Sequence, residues 1–118
     1  MRMWKVNPKL MCRKHLLGEH LEMHMFVGCL KKGKSLEGYI KKELVELHFL
    51  VARHHQLATE MVQRGYNHNS PIGGFPHRVG GKVDTNKSLK ELSKRCPECR
   101  RLIKNARSST TTNRNLER

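Results

Sequence analysis

No run in this sequence approaches the roughly 18 apolar residues of a membrane-spanning helix, and no secretory apolar segment opens it. The chain is therefore expected in the cytoplasm, associated with the nucleoid, or in the nucleus, and not secreted. Its four cysteines are then expected as thiols. Only Cys96 and Cys99, in "CPEC", form a close pair. A zinc ribbon needs a second pair at similar spacing. Cys12 and Cys29 stand too far apart, roughly 25 Å along a helix at about 1.5 Å per residue, to close one tetrahedral site. Structural zinc is not expected. The H-E-x-x-H pattern of zinc hydrolases is missing too, because "HLEMH" sets Glu22 two residues after His20.

Acids are also scarce. Ten Asp and Glu face 24 Lys and Arg among 118 residues, a formal charge of +14. Such a surplus costs self-repulsion in the folded state, and a polyanionic partner is the usual reason to carry it. Nucleic acid is the first candidate, ahead of an acidic membrane surface. Residues 82–118 hold 11 basic and 4 acidic side chains, with Lys94, Arg95, Arg100, Arg101, Lys104 and Arg107 close together. Mean hydropathy is −0.70, a polar composition for one small domain with a modest core.

The order of helix signals predicts an all-α domain of three or four helices with long loops. Asn7 can cap and Pro8 suits a first helical turn, so a helix is expected over about 8–32, kinked early. Its apolar stripe is read as Leu10, Leu17, Leu21, Met25 and Leu30. "GKSLEGYIKKE" (33–43) reads as loop. A second helix is expected over about 44–64, with Leu47, Leu50, His54, Leu57, Met61 and Val62 on its buried side and Gly65 as its stop. Residues 66–83 read as a glycine- and proline-rich loop. A third helix starts near 86, capped by Asp84, Thr85 or Asn86, and Pro97 breaks or restarts it behind Cys96. The domain is taken as 1–107, with 108–118 an unstructured basic tail.

"HLLGEHLEMH" (15–24) packs three histidines and two glutamates into ten residues. At about 100° per residue, His15, Glu19 and Glu22 fall on one face and His20 and His24 on the opposite one. They are two clusters. His20 and His24 have the i, i+4 spacing of metal ligands but no third ligand that the sequence points to, so they read as solvated groups or phosphate contacts. On the other face, two carboxylates a turn apart raise each other's pKa, and a histidine beside them can exchange protons. Either the pair is needed chemically, or Lys or Arg from elsewhere in the fold neutralises both.

"HLLGEHLEMHMFVG" (15–28) followed by "RHHQLATEMVQRGYNHNSP" (53–71) resembles the pyrimidine-dimer DNA glycosylases of the phage endonuclease V type. The resemblance covers about residues 1–71. It implies a small helical enzyme that excises damaged bases and cleaves at abasic sites without metal or cofactor. It implies that the nucleophile is the α-amine of the chain, here Met1, since Arg2 should block removal of the initiator. It implies that the catalytic carboxylate is Glu22, that His15 stands beside the active site and that Arg2 contacts DNA. An α-amine suits the task, because its reference pKa of about 7.7–8 lies well below the 10.4 or so of lysine.

The expected substrate is double-stranded DNA carrying damaged pyrimidines or abasic sites, opened by flipping a nucleotide. The enzyme is expected to act as a monomer. Phosphate contacts are expected from Arg2, Lys5, Arg13, Lys14, Arg64, Arg95, Arg100 and Arg101. Trp4, the only tryptophan, is read as core rather than wedge. The chain departs from the family in having no aromatic after Phe75 and in placing Leu21 and Met25 where basic residues would flank the site. The competing readings are a non-catalytic DNA binder of the same fold, and a metal-dependent nuclease using His20/His24 or His15/Glu19.

Overall fold

In the computed structural model the chain is all-helical, and the backbone of residues 1–116 and the side chains of residues 1–106 are described. Five α-helices follow one another: α1 (Arg13–Lys31), α2 (Glu37–Lys41), α3 (Leu50–Gln63), α4 (Thr85–Arg95) and α5 (Pro97–Leu116). Short 3-10 turns precede α1 and α3, at Pro8–Leu10 and Leu47–Phe49. The additional helix relative to expectation is α2, inside the stretch read as loop. The side chains of the expected tail, 108–118, lie outside the described residues.

The start of α1 differs from the sequence reading for a local reason. Asn7 does cap, its Oδ1 accepting the Lys9 N–H at 3.0 Å, but what it caps is a single 3-10 turn. Arg64 donates to the carbonyls of Pro8 and Met11 at 3.0 and 2.8 Å. It thereby occupies acceptors that a continuous helix would use for its own bonds. Met11 is fully buried and extended, and α1 begins at Arg13 behind Cys12.

The buried stripe of α1 is Leu16, Met23, Phe26, Val27 and Leu30. Leu21 and Met25, expected inside, are 60% and 46% exposed. Two apolar rows run along this helix on opposite sides. Packing of α1 against α3 decides which row is covered. On α3 the expected stripe holds at Leu50, His54, Leu57 and Met61, whereas Val62 is exposed. Gly65 ends α3 with φ +84°, its N–H bonding the Val62 carbonyl and that of Tyr66 the Met61 carbonyl. That paired closure requires a left-handed residue, which glycine adopts without a Cβ penalty.

The N-terminal arm contributes three residues to the core. Met3, Trp4 and Val6 are buried, and the Met3 N–H donates to the Leu44 carbonyl at 2.7 Å. Lys5 takes a left-handed φ of 58° and reaches Glu46, whose carboxylate also accepts the Val83 N–H at 3.0 Å. Burial alone would raise the Glu46 carboxyl, but the Val83 N–H and Lys5 outweigh it and hold it below its ordinary value. This junction fastens the arm to the segment that leads into α4.

Gly81 passes the same junction with φ +84°, where a Cβ would stand 2.0 Å from the Val45 carbonyl oxygen. Neighbouring Gly80 accepts the Leu47 N–H at 2.8 Å, so the backbone has little room to retreat. Gly81→Ala is expected to cost at least about 2 kcal/mol, the left-handed penalty plus the clash. Chemical denaturation of both proteins measures it.

Candidate active site

The buried arm carries the chain terminus to the side of α1. The Met1 nitrogen lies 3.8 Å from Glu22 Oε1, and the backbone N–H of Arg2 donates to the same carboxylate. A cavity of about 440 Å³ opens here, bordered by Met1, Arg2, Lys14, His15, Glu22 and Arg95. Burial pushes the Glu22 carboxyl above its ordinary value, against the lowering pull of the terminal amine and Arg2. A carboxyl raised in this way holds its proton more readily than an ordinary glutamate and can exchange it with a neighbouring group.

The second carboxylate of the α1 face has a different fate. Glu19 is 1% exposed and receives Arg53 Nε and Nη2 at 2.6 and 2.8 Å. Arg53 is itself buried and also donates to the Val6 carbonyl at 2.7 Å. The neutralising cation that the sequence left open is therefore real for Glu19. Glu22 receives no Lys or Arg side chain among the described residues. It faces the amine instead.

Trp4 is 4% exposed, as the core reading expects, yet it also shapes the cavity. The Arg2 guanidinium lies 3.8 Å from its ring centroid, Arg95 lies 5.5 Å away, and His15 meets it edge-on. Arg2 Nε is buried without a hydrogen-bond partner. Burial, and then Arg95, lowers the Arg2 pKa. A buried donor without an acceptor is costly until something anionic supplies one. Burial, Lys14 and Arg95 also lower the His15 pKa, which favours its neutral ring.

The other expected DNA contacts separate into two sets. Lys5 and Arg64 are committed internally, Lys5 to Glu46, and Arg64 to Glu60 at 2.7 Å and to two carbonyls. They hold the fold and do not reach outward. Arg13, Lys14, Arg95, Arg100 and Arg101 are exposed. Arg13 lies over Tyr66, while Arg95 pairs with Glu91 and Arg101 with Glu98 on the surface. Arg100 reaches back to the Ser93 carbonyl at 2.7 Å. Exposed pairs of this kind are weak and exchange readily for phosphate.

His20 and His24 do not stand alone on their side of α1. His54 from α3 and His68 from the following loop meet them, with Nε2 separations of 2.9 Å for His20–His68 and 3.2 Å for His24–His54. Burial, then the neighbouring histidines, push His20 down to about 4, so its ring is neutral at pH 7, and in each of these contacts one ring nitrogen donates and the other accepts. The ring nitrogens of His20, His54 and His68 all fall within 4.8 Å of one another and could take a metal. Their hydrogen bonds account for the cluster without one. It pins the loop after α3 onto α1. The reading of this pair as solvated groups gives way to that packing role.

A larger groove of about 860 Å³ lies between α3 and the loop at 68–77, lined by neither a carboxylate nor a lysine. Its polar groups are Thr59, Gln63 and four histidines, with no carboxylate beside them. The cavity at the arm, by contrast, sets the Met1 nitrogen beside a carboxylate whose pKa is raised. A family model described as pyrimidine dimer DNA glycosylase matches residues 1–73. The chain belongs to that family. The matched span contains the arm, the whole of α1 and α3, and every cavity residue named above except Arg95. No curated protein and no solved structure gives a significant match. Membership of the pyrimidine dimer DNA glycosylases implies DNA with damaged bases as the substrate. Among the described residues no helix is long and apolar enough to cross a membrane.

Proposed function

We propose that this protein excises damaged pyrimidines from duplex DNA and cleaves at the resulting abasic site, using the Met1 amine as nucleophile and Glu22 as the proton-transfer group. The observation that carries the reading is the 3.8 Å approach of the terminal nitrogen to a carboxylate with a raised pKa. The unprotonated amine attacks C1′ of the flipped nucleotide. The electrons of the glycosidic bond leave with the base, and a C1′–N bond forms. Glu22 accepts a proton from the new ammonium and delivers it to the sugar ring oxygen, so the ring opens to a protonated imine. Glu22, a carboxylate again, then takes a C2′ proton, and the electrons of that C–H bond form a C2′–C3′ double bond as the C3′–O bond breaks and the 3′ phosphate leaves. Arg2 and Arg95 at the cavity, with Arg13, Lys14, Arg100 and Arg101 on the surface, supply phosphate contacts. The protein works as a monomer.

The amine makes the reading testable. Borohydride reduction of a mixture with abasic duplex in EDTA is expected to give a covalent protein–DNA adduct. A short N-terminal extension should abolish the adduct while leaving salt-sensitive DNA binding in place. Binding without any trapped adduct, from protein with a native terminus, indicates a non-catalytic binder. Activity that is lost in EDTA, restored by magnesium but not by zinc, and never accompanied by a trapped adduct indicates a metal-dependent nuclease.

A further inference from the structure

The CPEC segment has no second cysteine pair in the sequence, yet the fold brings it a partner. Cys12 is the N-cap of α1 and His15 its third residue. Cys96 stands directly before α5 and Cys99 is the third residue of that helix. The two starts match in detail. The Leu16 N–H bonds the Cys12 carbonyl at 2.9 Å, and the Arg100 N–H bonds the Cys96 carbonyl at 3.0 Å. Two cap-x-x-ligand units, Cys12/His15 and Cys96/Cys99, therefore converge from two helix N-termini.

Their four ligand atoms lie within 4.8 Å of one another. Cys12 Sγ is 3.2 Å from His15 Nδ1 and 3.9 Å from Cys96 Sγ. Tetrahedral zinc, with bonds of about 2.3 Å to sulfur and 2.0 Å to nitrogen, sets ligand-to-ligand edges of roughly 3.5–3.8 Å. The observed spacings bracket that range. Two backbone donors already point at the sulfurs, the Cys12 N–H at Cys99 Sγ (3.2 Å) and the Cys99 N–H at Cys96 Sγ (3.5 Å). Such donors, and the positive ends of two helices, stabilise thiolates. Three thiolates and one imidazole, with no position left open, are the donor set of structural zinc.

We propose that Cys12, His15, Cys96 and Cys99 form a closed structural zinc site that clasps the start of α1 to the α4–α5 corner. The clasp joins the segment matched by the family to the C-terminal part beyond residue 73. Arg95 precedes a ligand directly, and its guanidinium stands over Trp4 at the cavity. The metal thus fixes where that cation is presented. A zinc-bound Nδ1 leaves the remaining ring proton of His15 on Nε2. His15 can then donate a hydrogen bond at the cavity but cannot accept a proton there. This inference is independent of the reaction proposed above.

Full-length protein, purified from zinc-supplemented cells under reducing, chelator-free conditions, is expected to carry one zinc per chain by elemental analysis. Cobalt exchanged for zinc should give the intense visible bands of a tetrahedral ion with thiolate charge transfer. Cys96→Ser and Cys99→Ser should lose the metal, and His15→Cys should keep it with a stronger thiolate band. Cys29→Ser, outside the cluster, should retain the full equivalent. Should the Ser variants fail to fold, the cobalt spectrum of the unmodified protein decides. Zinc well below one equivalent, a weak octahedral cobalt spectrum, or metal lost in His54→Ala but kept in Cys96→Ser would each overturn the site. So would a Cys12–Cys96 disulfide that forms in zinc-replete, reduced protein.

Discussion

Glu22→Gln protein is expected to excise dimers about 10²–10⁴-fold more slowly, while still giving a borohydride-trapped adduct with abasic DNA. The two activities separate because they ask different things of the side chain. An abasic site already presents an aldehyde, and the amine can condense with it without help in expelling a base. Excision must pass through a sugar carrying positive charge at C1′, and a glutamine supplies neither the compensating charge nor a proton acceptor. The amide is nearly isosteric and can still accept the Arg2 N–H, so the arm should keep its place. The pH profile gives a second readout. Reaction that needs the carboxylate form declines as pH falls through the Glu22 pKa. Burial raises that pKa, so the acid limb should lie above the range of an ordinary glutamate and vanish in the variant. Equal loss of excision and trapping would mean that Glu22 holds the arm rather than moving protons. A profile unchanged by the substitution would remove it from the reaction.

The division of "HLLGEHLEMH" into two sides was legible in the sequence because helical geometry depends only on spacing. What each side meets was not. Glu19 and Glu22 look alike on a helical wheel, and Arg53, 34 positions away, makes one structural and leaves the other for the cavity. Likewise Leu21 and Met25 form as good an apolar row as Leu16, Met23 and Val27. Only the position of α3 selects between them. The partners of His20 and His24 come from α3 and from a loop, where no local periodicity announces them. In the sequence Cys12 matches Cys29 by residue type alone, at a spacing that cannot close one site. In the fold its neighbour is His15, and this Cys-x-x-His stretch lies against the Cys-x-x-Cys of 96–99. The buried arm had no signal except its apolar Met3, Trp4 and Val6, too short a run to read as a core element.

Arg53→Met is expected to destabilise the fold by about 3–5 kcal/mol, a large share of the 5–15 or so available to a small domain. The cost arises less from losing an attraction than from what remains. Glu19 would keep a charge at 1% exposure with no cation, and the Val6 carbonyl would lose its donor. Adding Glu19→Leu should recover most of the loss, because two apolar side chains of similar volume suit the site better than one uncompensated ion. Recovery should stay incomplete, since the Val6 carbonyl is still unpaired in the double variant. A double-mutant cycle by chemical denaturation measures all three terms. Strict additivity of the two single changes would show that Arg53 and Glu19 do not interact energetically. The recovered protein also tests position against stability. Arg53 holds the arm at Val6, five residues from Met1, so a stable double variant should still show weaker trapping of abasic DNA if that hydrogen bond helps aim the amine. Unchanged trapping would assign the aim of the terminus to the Met3–Leu44 bond and the Trp4 packing alone.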